Sequence, residues 1–149
     1  MKKNTFIFLT CLVATAVIGC AGGKSSKPDP NDIITIGNGG GFSGAYSGFR
    51  ITRTGEVASW MRSTATAKDS VLARSMTTPD SVEFFFRYLD EIGFTGLQYD
   101  KSGNMTFFVE HSLPSPHRLS WADSPEGGPP ELSVFYRLVM MYVSRQLHP

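Results

Sequence analysis

Cysteine is nearly missing from this 149-residue chain: there are two, Cys11 and Cys20, both within the first twenty positions. From Ala21 onward no thiol remains, which excludes a disulfide, a cysteine nucleophile or a cysteine-ligated metal in that part of the chain. Histidine is almost as scarce. His111, His117 and His148 are the full set, and no H-E-x-x-H spacing exists. No apolar run reaches the ~20 residues of a membrane-spanning helix. Charge of either sign is also low. The formal net charge is +1, and without Lys2 and Lys3 the remainder carries 12 basic against 13 acidic residues, a net of −1. With no basic block, nucleic acid is not an expected partner.

The first nineteen residues have the organisation of an export signal. Lys2 and Lys3 open it, and Phe6 to Ile18 is apolar apart from Thr10, Cys11 and Thr15. That length suits a secretory apolar region rather than a membrane span. The segment ends Val17-Ile18-Gly19-Cys20, which resembles the lipobox of bacterial lipoproteins. The resemblance implies cleavage before Cys20, lipidation of Cys20 and attachment to a membrane through that lipid. Two or more acyl chains, as such proteins carry, anchor durably where one does not. Ala21 follows the cysteine where aspartate would be the inner-membrane retention signal of enteric bacteria, so the resemblance implies the outer membrane. Residues 20–32, with the run "AGGKSSKPDPND" after Cys20, lack any large apolar side chain and have the composition of a flexible tether.

Residues 33–149 suffice for one domain with a single core. Ile33 to Ile36 is expected as a short strand. Phe49 and Ile51 alternate with Arg50 and Thr52, Thr54-Gly55 supplies a turn, and Glu56 to Met61 returns, giving a hairpin. Ser63 to Thr77 is ambiguous, and "KDSVLARSM" within it suits two helical turns beginning near Asp69 or Ser70. Thr78-Pro79-Asp80 is a helix start: a capping hydroxyl, proline at the first helical position, and an acid at the positive end of the dipole. Val82, Phe85, Phe86, Leu89 and Ile92 follow at helical spacing, and Gly93 closes the helix. Leu97 to Tyr99 and Met105 to Glu110 are expected to pair across "DKSGN" as a second hairpin, with His117 to Trp121 a further strand. A last helix starts at Pro129-Pro130-Glu131 and carries Leu132, Phe135, Tyr136, Val139 and Val143 on one stripe. The fold class expected is α+β, a small antiparallel or mixed sheet of hairpins with two amphipathic helices packed on one face. Trp60 and Trp121 are both expected between helix and sheet.

Glycine is the one residue in surplus. Six of fifteen lie between Thr35 and Phe49, in "TIGNGGGFSGAYSGF". Gly39, Gly41 and Gly44 fit G-x-G-x-x-G after an apolar run. A dinucleotide site needs a helix next, whose N-terminus receives the phosphate. Ala45 to Arg53 reads as a strand instead, and no Gly-Lys-Ser/Thr follows to make a P-loop. Gly41-Phe42-Ser43-Gly44-Ala45 falls one glycine short of a hydrolase elbow and again lacks its helix. The stretch is therefore expected to join two strands, with Phe42 as its packing anchor. His111, His117 and Asp123 could meet across a hairpin to bind zinc, but loop-edge histidines are more often solvated. No acid–base pair can be nominated, and no cofactor, metal or catalytic residue is expected.

The domain also resembles the emfourin-like proteins, small bacterial inhibitors of thermolysin-type metalloproteases. The resemblance is carried by Gly40-Gly41-Phe42-Ser43-Gly44 before a strand, the Val82 to Ile92 helix, and the Tyr99 and Phe107 segments. His117-Arg118-Leu119, Asp123, and Pro130 with Leu132 complete it. It spans most of Ile33 to Leu147. The chain departs from that pattern by an added strand at Glu56 to Met61, a longer gap before the helix, and the lipobox. The resemblance implies a protein-binding module, with a protease as partner, and no inhibitory residue is carried over from it. The loops expected to meet a partner hold Gly39, Gly41, Phe42 and Gly44, and, in the Gly/Pro-rich "SPEGGPPE", Gly127 and Gly128. The alternative is a structural or assembly lipoprotein bound to another envelope component, without ligand or catalysis.

Overall fold

The computed structural model describes residues 27–147; the export segment, Cys20, the first part of the expected tether and His148 lie outside the described residues. Six strands form one antiparallel sheet in the order β4-β3-β2-β1-β5-β6. The strands are β1 (Ile33–Gly40), β2 (Ala45–Thr52), β3 (Glu56–Arg62), β4 (Ser70–Met76), β5 (Met105–His111) and β6 (His117–Ala122). Helix α1 (Pro79–Glu91) and helix α2 (Pro130–Leu147) complete the α+β fold, with a single 3-10 turn at Phe94–Gly96.

The period-two alternation of the strands divides the sheet into two faces. Ile34, Ile36, Ile51, Val57, Val109, Leu119 and Trp121 turn toward the helices. There they meet Val82, Phe85, Phe86 and Leu89 of α1 and Leu132, Phe135, Val139 and Val143 of α2. All of these are essentially fully buried. Helix α1 begins as its sequence dictates: Thr78 is extended, its hydroxyl accepts from the Ser81 N–H, Pro79 opens the helix, and Gly93 beyond its end adopts φ +64°.

Two segments depart from local expectation, both for long-range reasons. "KDSVLARSM" is a strand and not a helix. As β4 it pairs with the outer edge of β3 from Glu56↔Met76 to Met61↔Ser70. Leu72 and Ala73 favour helix locally, but the β3 backbone donors and acceptors require partners, and pairing prevails over propensity. Leu97–Tyr99 is likewise not a strand beside Met105. Both edges of β5 are already occupied, by β1 and β6, so the second hairpin is β5–β6. The displaced segment runs along the free edge of β6 instead. Ser120 N donates to Tyr99 O and Lys101 N to Ser120 O, each at 3.0 Å, which covers that edge from further pairing.

Glycine is required inside the strands more than in the turn. Gly37 and Gly48 are partners across β1 and β2 on the helix-free face. A Cβ on Gly48 would lie 1.9 Å from Ile36 O, and one on Gly37 would lie 2.5 Å from Ser47 O and 3.0 Å from the Phe108 ring. The two bare backbones allow close approach and leave a floor on which Phe108 rests. Gly48→Ala is expected to lower unfolding free energy by on the order of 3 kcal/mol, because the clash is with backbone and cannot relax cheaply. Gly96→Ala, where no atom lies within 4 Å of the new methyl, should stay within about 0.5 kcal/mol of the parent. Urea denaturation of both variants measures the contrast.

Candidate functional site

The strand registers place each connection at one end of the sheet or the other. Gly40 pairs with both Ala45 and Met105, Thr106 with Ala122, and Tyr46 with Arg62. The Gly41–Gly44 turn, the 63–69 loop, the 101–104 loop and the 123–129 loop therefore share one end. The chain enters at the other, where Ile33 pairs with Thr52 and Ile34 with His111. The entry is tied down. Asp32 receives Arg53 Nε at 2.9 Å and shares a 2.6 Å hydrogen bond with His111 Nε2, and Ile33 N donates to Ser112 Oγ at 2.8 Å.

The loops at the far end brace one another. Gly41 N donates to Asn104 O, and Gly41 and Gly44 take positive φ at +64° and +61°. The main chain thus turns tightly, in a conformation other residues seldom adopt. Phe42 stands at the apex and is fully exposed. It is not the packing anchor expected from the sequence: its ring is left in solvent, and the turn is held by backbone bonds and by the Ser43 hydroxyl, which accepts from Ala45 N. Gly39 belongs to β1 rather than to a loop, and a Cβ there would meet Ala45 O at 2.3 Å and the Tyr46 ring at 2.5 Å. Gly127 and Gly128 do sit in the 123–129 loop, but they fold it over Trp121. A Cβ on Gly128 would meet the indole at 2.8 Å.

The zinc set that the sequence left open is not assembled. His111 and His117 face each other across β5 and β6, but Asp123 lies at the opposite end of β6. Nε2 of His111 is shared with Asp32, and that of His117 lies 3.0 Å from Leu97 O. Among the described residues no group of three or more histidine, cysteine or acidic side chains is placed to hold a metal ion.

Trp121 packs between sheet and helices, against Phe107 and Tyr136. Trp60 does not; it lies on the opposite face, within 6.2 Å of Phe108. On that helix-free face the two rings are only 3 % and 2 % exposed, although no helix covers them. Arginines do. The guanidinium of Arg50 lies 5.2 Å and that of Arg62 5.9 Å from the Trp60 ring centroid, and Arg118 lies 3.7 Å above Phe108. Asp69, at the mouth of β4, accepts from both Arg62, at 2.6 Å, and Arg50. The bond from Arg62, reinforced by that from Arg50, holds the Asp69 carboxyl below its usual range against the opposing effect of burial. These side chains border a cleft of about 280 Å³, which Ala65 also lines.

No protein-family model matches the sequence, and no curated protein sequence matches it.

The depressed Asp69 pKa sets the sign of a pH effect. Its contribution to stability is complete above the unfolded-state value of about 3.9 and is lost as pH falls through the lower folded-state value. Asp69→Asn is expected to cost about 2 kcal/mol at neutral pH. The variant and parent should converge as pH falls through the lowered folded-state value, where the parental carboxyl takes up its proton. Thermal melts across that range check it.

Proposed function

We propose that this chain is a lipid-anchored protein of the bacterial cell envelope that binds another protein through the loop end of its domain. Phe42 is the observation that supports this reading most directly. A fully exposed phenylalanine costs solvation and contributes nothing to the core. Here it is held on a tight, backbone-braced turn rather than on a loose loop. An aromatic side chain on a main chain already fixed in its turn is the kind that dominates binding energy at protein interfaces.

The direction of presentation supports it as well. Eight residues of β1 separate the entry of the chain from the turn, about 27 Å at ~3.4 Å per residue. A domain tethered through Cys20 thus carries Phe42 at the end remote from its attachment. A secreted metalloprotease of the thermolysin type is the partner class that the emfourin-like resemblance suggests, with the turn and its neighbouring loops as the contacting surface.

Titration of the mature chain against thermolysin-type proteases should give saturable inhibition. Phe42→Asp should weaken it at least about tenfold. Ser115→Asp, on the exposed loop at the entry end, should leave it unchanged. No inhibition at about 10 μM chain, a complex worth less than about 7 kcal/mol, would remove the protease as partner. The anchor has its own check. Cys20→Ser should move the protein from the membrane fraction to the soluble one and abolish incorporation of labelled palmitate, since removing every acyl chain leaves no hydrophobic attachment.

A further inference from the structure

The arginines over the helix-free face are unequally satisfied. Arg50 and Arg62 share Asp69. Arg118 has no such partner: its nearest carboxylate oxygen, on Glu110, is 3.9 Å from NH1, beyond hydrogen-bond distance. Its guanidinium makes no hydrogen bond to any described residue. Stacking on Phe108 nevertheless holds it in place. A planar cation resting on a ring, with its edges open to solvent and unpaired by protein groups, can receive a second planar, bidentate group.

Arg118 also stands where two cavities meet. It and Tyr46 border both the cleft of about 280 Å³ and a neighbouring one of about 260 Å³. The two differ in chemistry. The first holds three arginines against Asp69 and Glu110, leaving one positive charge in surplus. The second is lined by Ser102, Thr106 and Ser120, with Asp100 accepting from the Ser120 hydroxyl. Asp100 balances that surplus over the two clefts together, so a single negative charge paired with Arg118 is the most the site accommodates, and a dianionic phosphate would face Glu110 and Asp100 uncompensated. The hydroxyl-lined neighbour suits a neutral hydrogen-bonding group adjoining the charge.

We propose that this double cleft binds a carboxylate with a neutral polar group beside it, Arg118 pairing with the carboxylate and Ser102, Thr106 and Ser120 meeting the polar part. A peptide C-terminus and an acidic sugar both carry that chemistry. The cleft adjoins the loops around the Phe42 turn through Ala65 and Ser102, but its binding of a small acid is read without the partner proposed there.

Arginine side-chain NMR signals of the mature chain report binding directly. The probes are N-acetyl-trialanine and its C-terminal amide, and glucuronate and its methyl ester. At least one acid should shift the Arg118 Nε–H signal saturably and bind at least about tenfold more tightly than its neutral counterpart. Preference for the peptide acid assigns a C-terminus; preference for glucuronate assigns an acidic saccharide. Arg118→Gln should lose about tenfold or more in affinity for the preferred acid. Arg118→Lys, which keeps the charge and the apolar stem, should melt within a few degrees of the parent yet bind more weakly, because it lacks the planar fork. The proposal is overturned if neither acid saturates by about 50 mM, a binding energy below about 2 kcal/mol. It is equally overturned if the neutral probes bind as well as the acids, or if both Arg118 variants bind as the parent does.

Discussion

Close approach of β1 and β2 at Gly37 and Gly48 is the constraint on which the rest of the structure depends. Because neither residue has a side chain, the backbones meet where any Cβ would collide with a carbonyl oxygen. The same bareness makes a shallow floor that accepts the Phe108 ring. Phe108 in turn touches Trp60 and supports Arg118. Three tiers result: glycine, aromatic ring, guanidinium. They give the helix-free face a covered apolar layer without a second set of helices. An antiparallel sheet usually leaves one face wet; here that face is half dry beneath a lid of cations.

The lid explains how a sheet buried by helices on one side only can carry large aromatic residues on both. Flat stacking lets guanidinium groups shield rings while keeping their edges hydrated. Asp69 then ties two of the three arginines to the start of β4, so an edge strand with exposed Val71 and Leu72 is fastened to the middle of the sheet by charge as well as by its ladder. At the opposite corner, Asp32 does comparable work between Arg53 and His111.

What could be read from the sequence was whatever is decided within a few residues. Thr78-Pro79-Asp80 and Gly93 bound a helix through capping and φ alone, and Thr54-Gly55 marks its turn the same way. The β4 strand was hidden because its identity depends on an unpaired edge contributed by β3, and "KDSVLARSM" carries no local trace of that need. Alternation puts Trp60 and Arg62 on one face of β3, but nothing in it says which face the helices cover, and Trp60 was expected on the wrong one. The cleft was hidden for a similar reason. Its members come from β1, β2, β3, β5, β6 and the 63–69 loop, and no spacing in the chain announces that Arg50, Asp69 and Arg118 converge. The glycine stretch was visible at once, yet its weight sits at Gly37 and Gly48 and not at the fingerprint positions, because in-strand packing leaves no motif.

Strand β1 enters the domain at its tied-down end, runs unbroken to the Phe42 turn, and is flanked along its length by β2 in eight register pairs and by β5 in seven. A pull applied between the entry and the turn would run parallel to the strand. Both ladders would then be sheared with all their hydrogen bonds strained together, instead of being unzipped one at a time. The domain is thus mechanically stiffest along the line joining the start of β1 to Phe42, as a strut is along its axis.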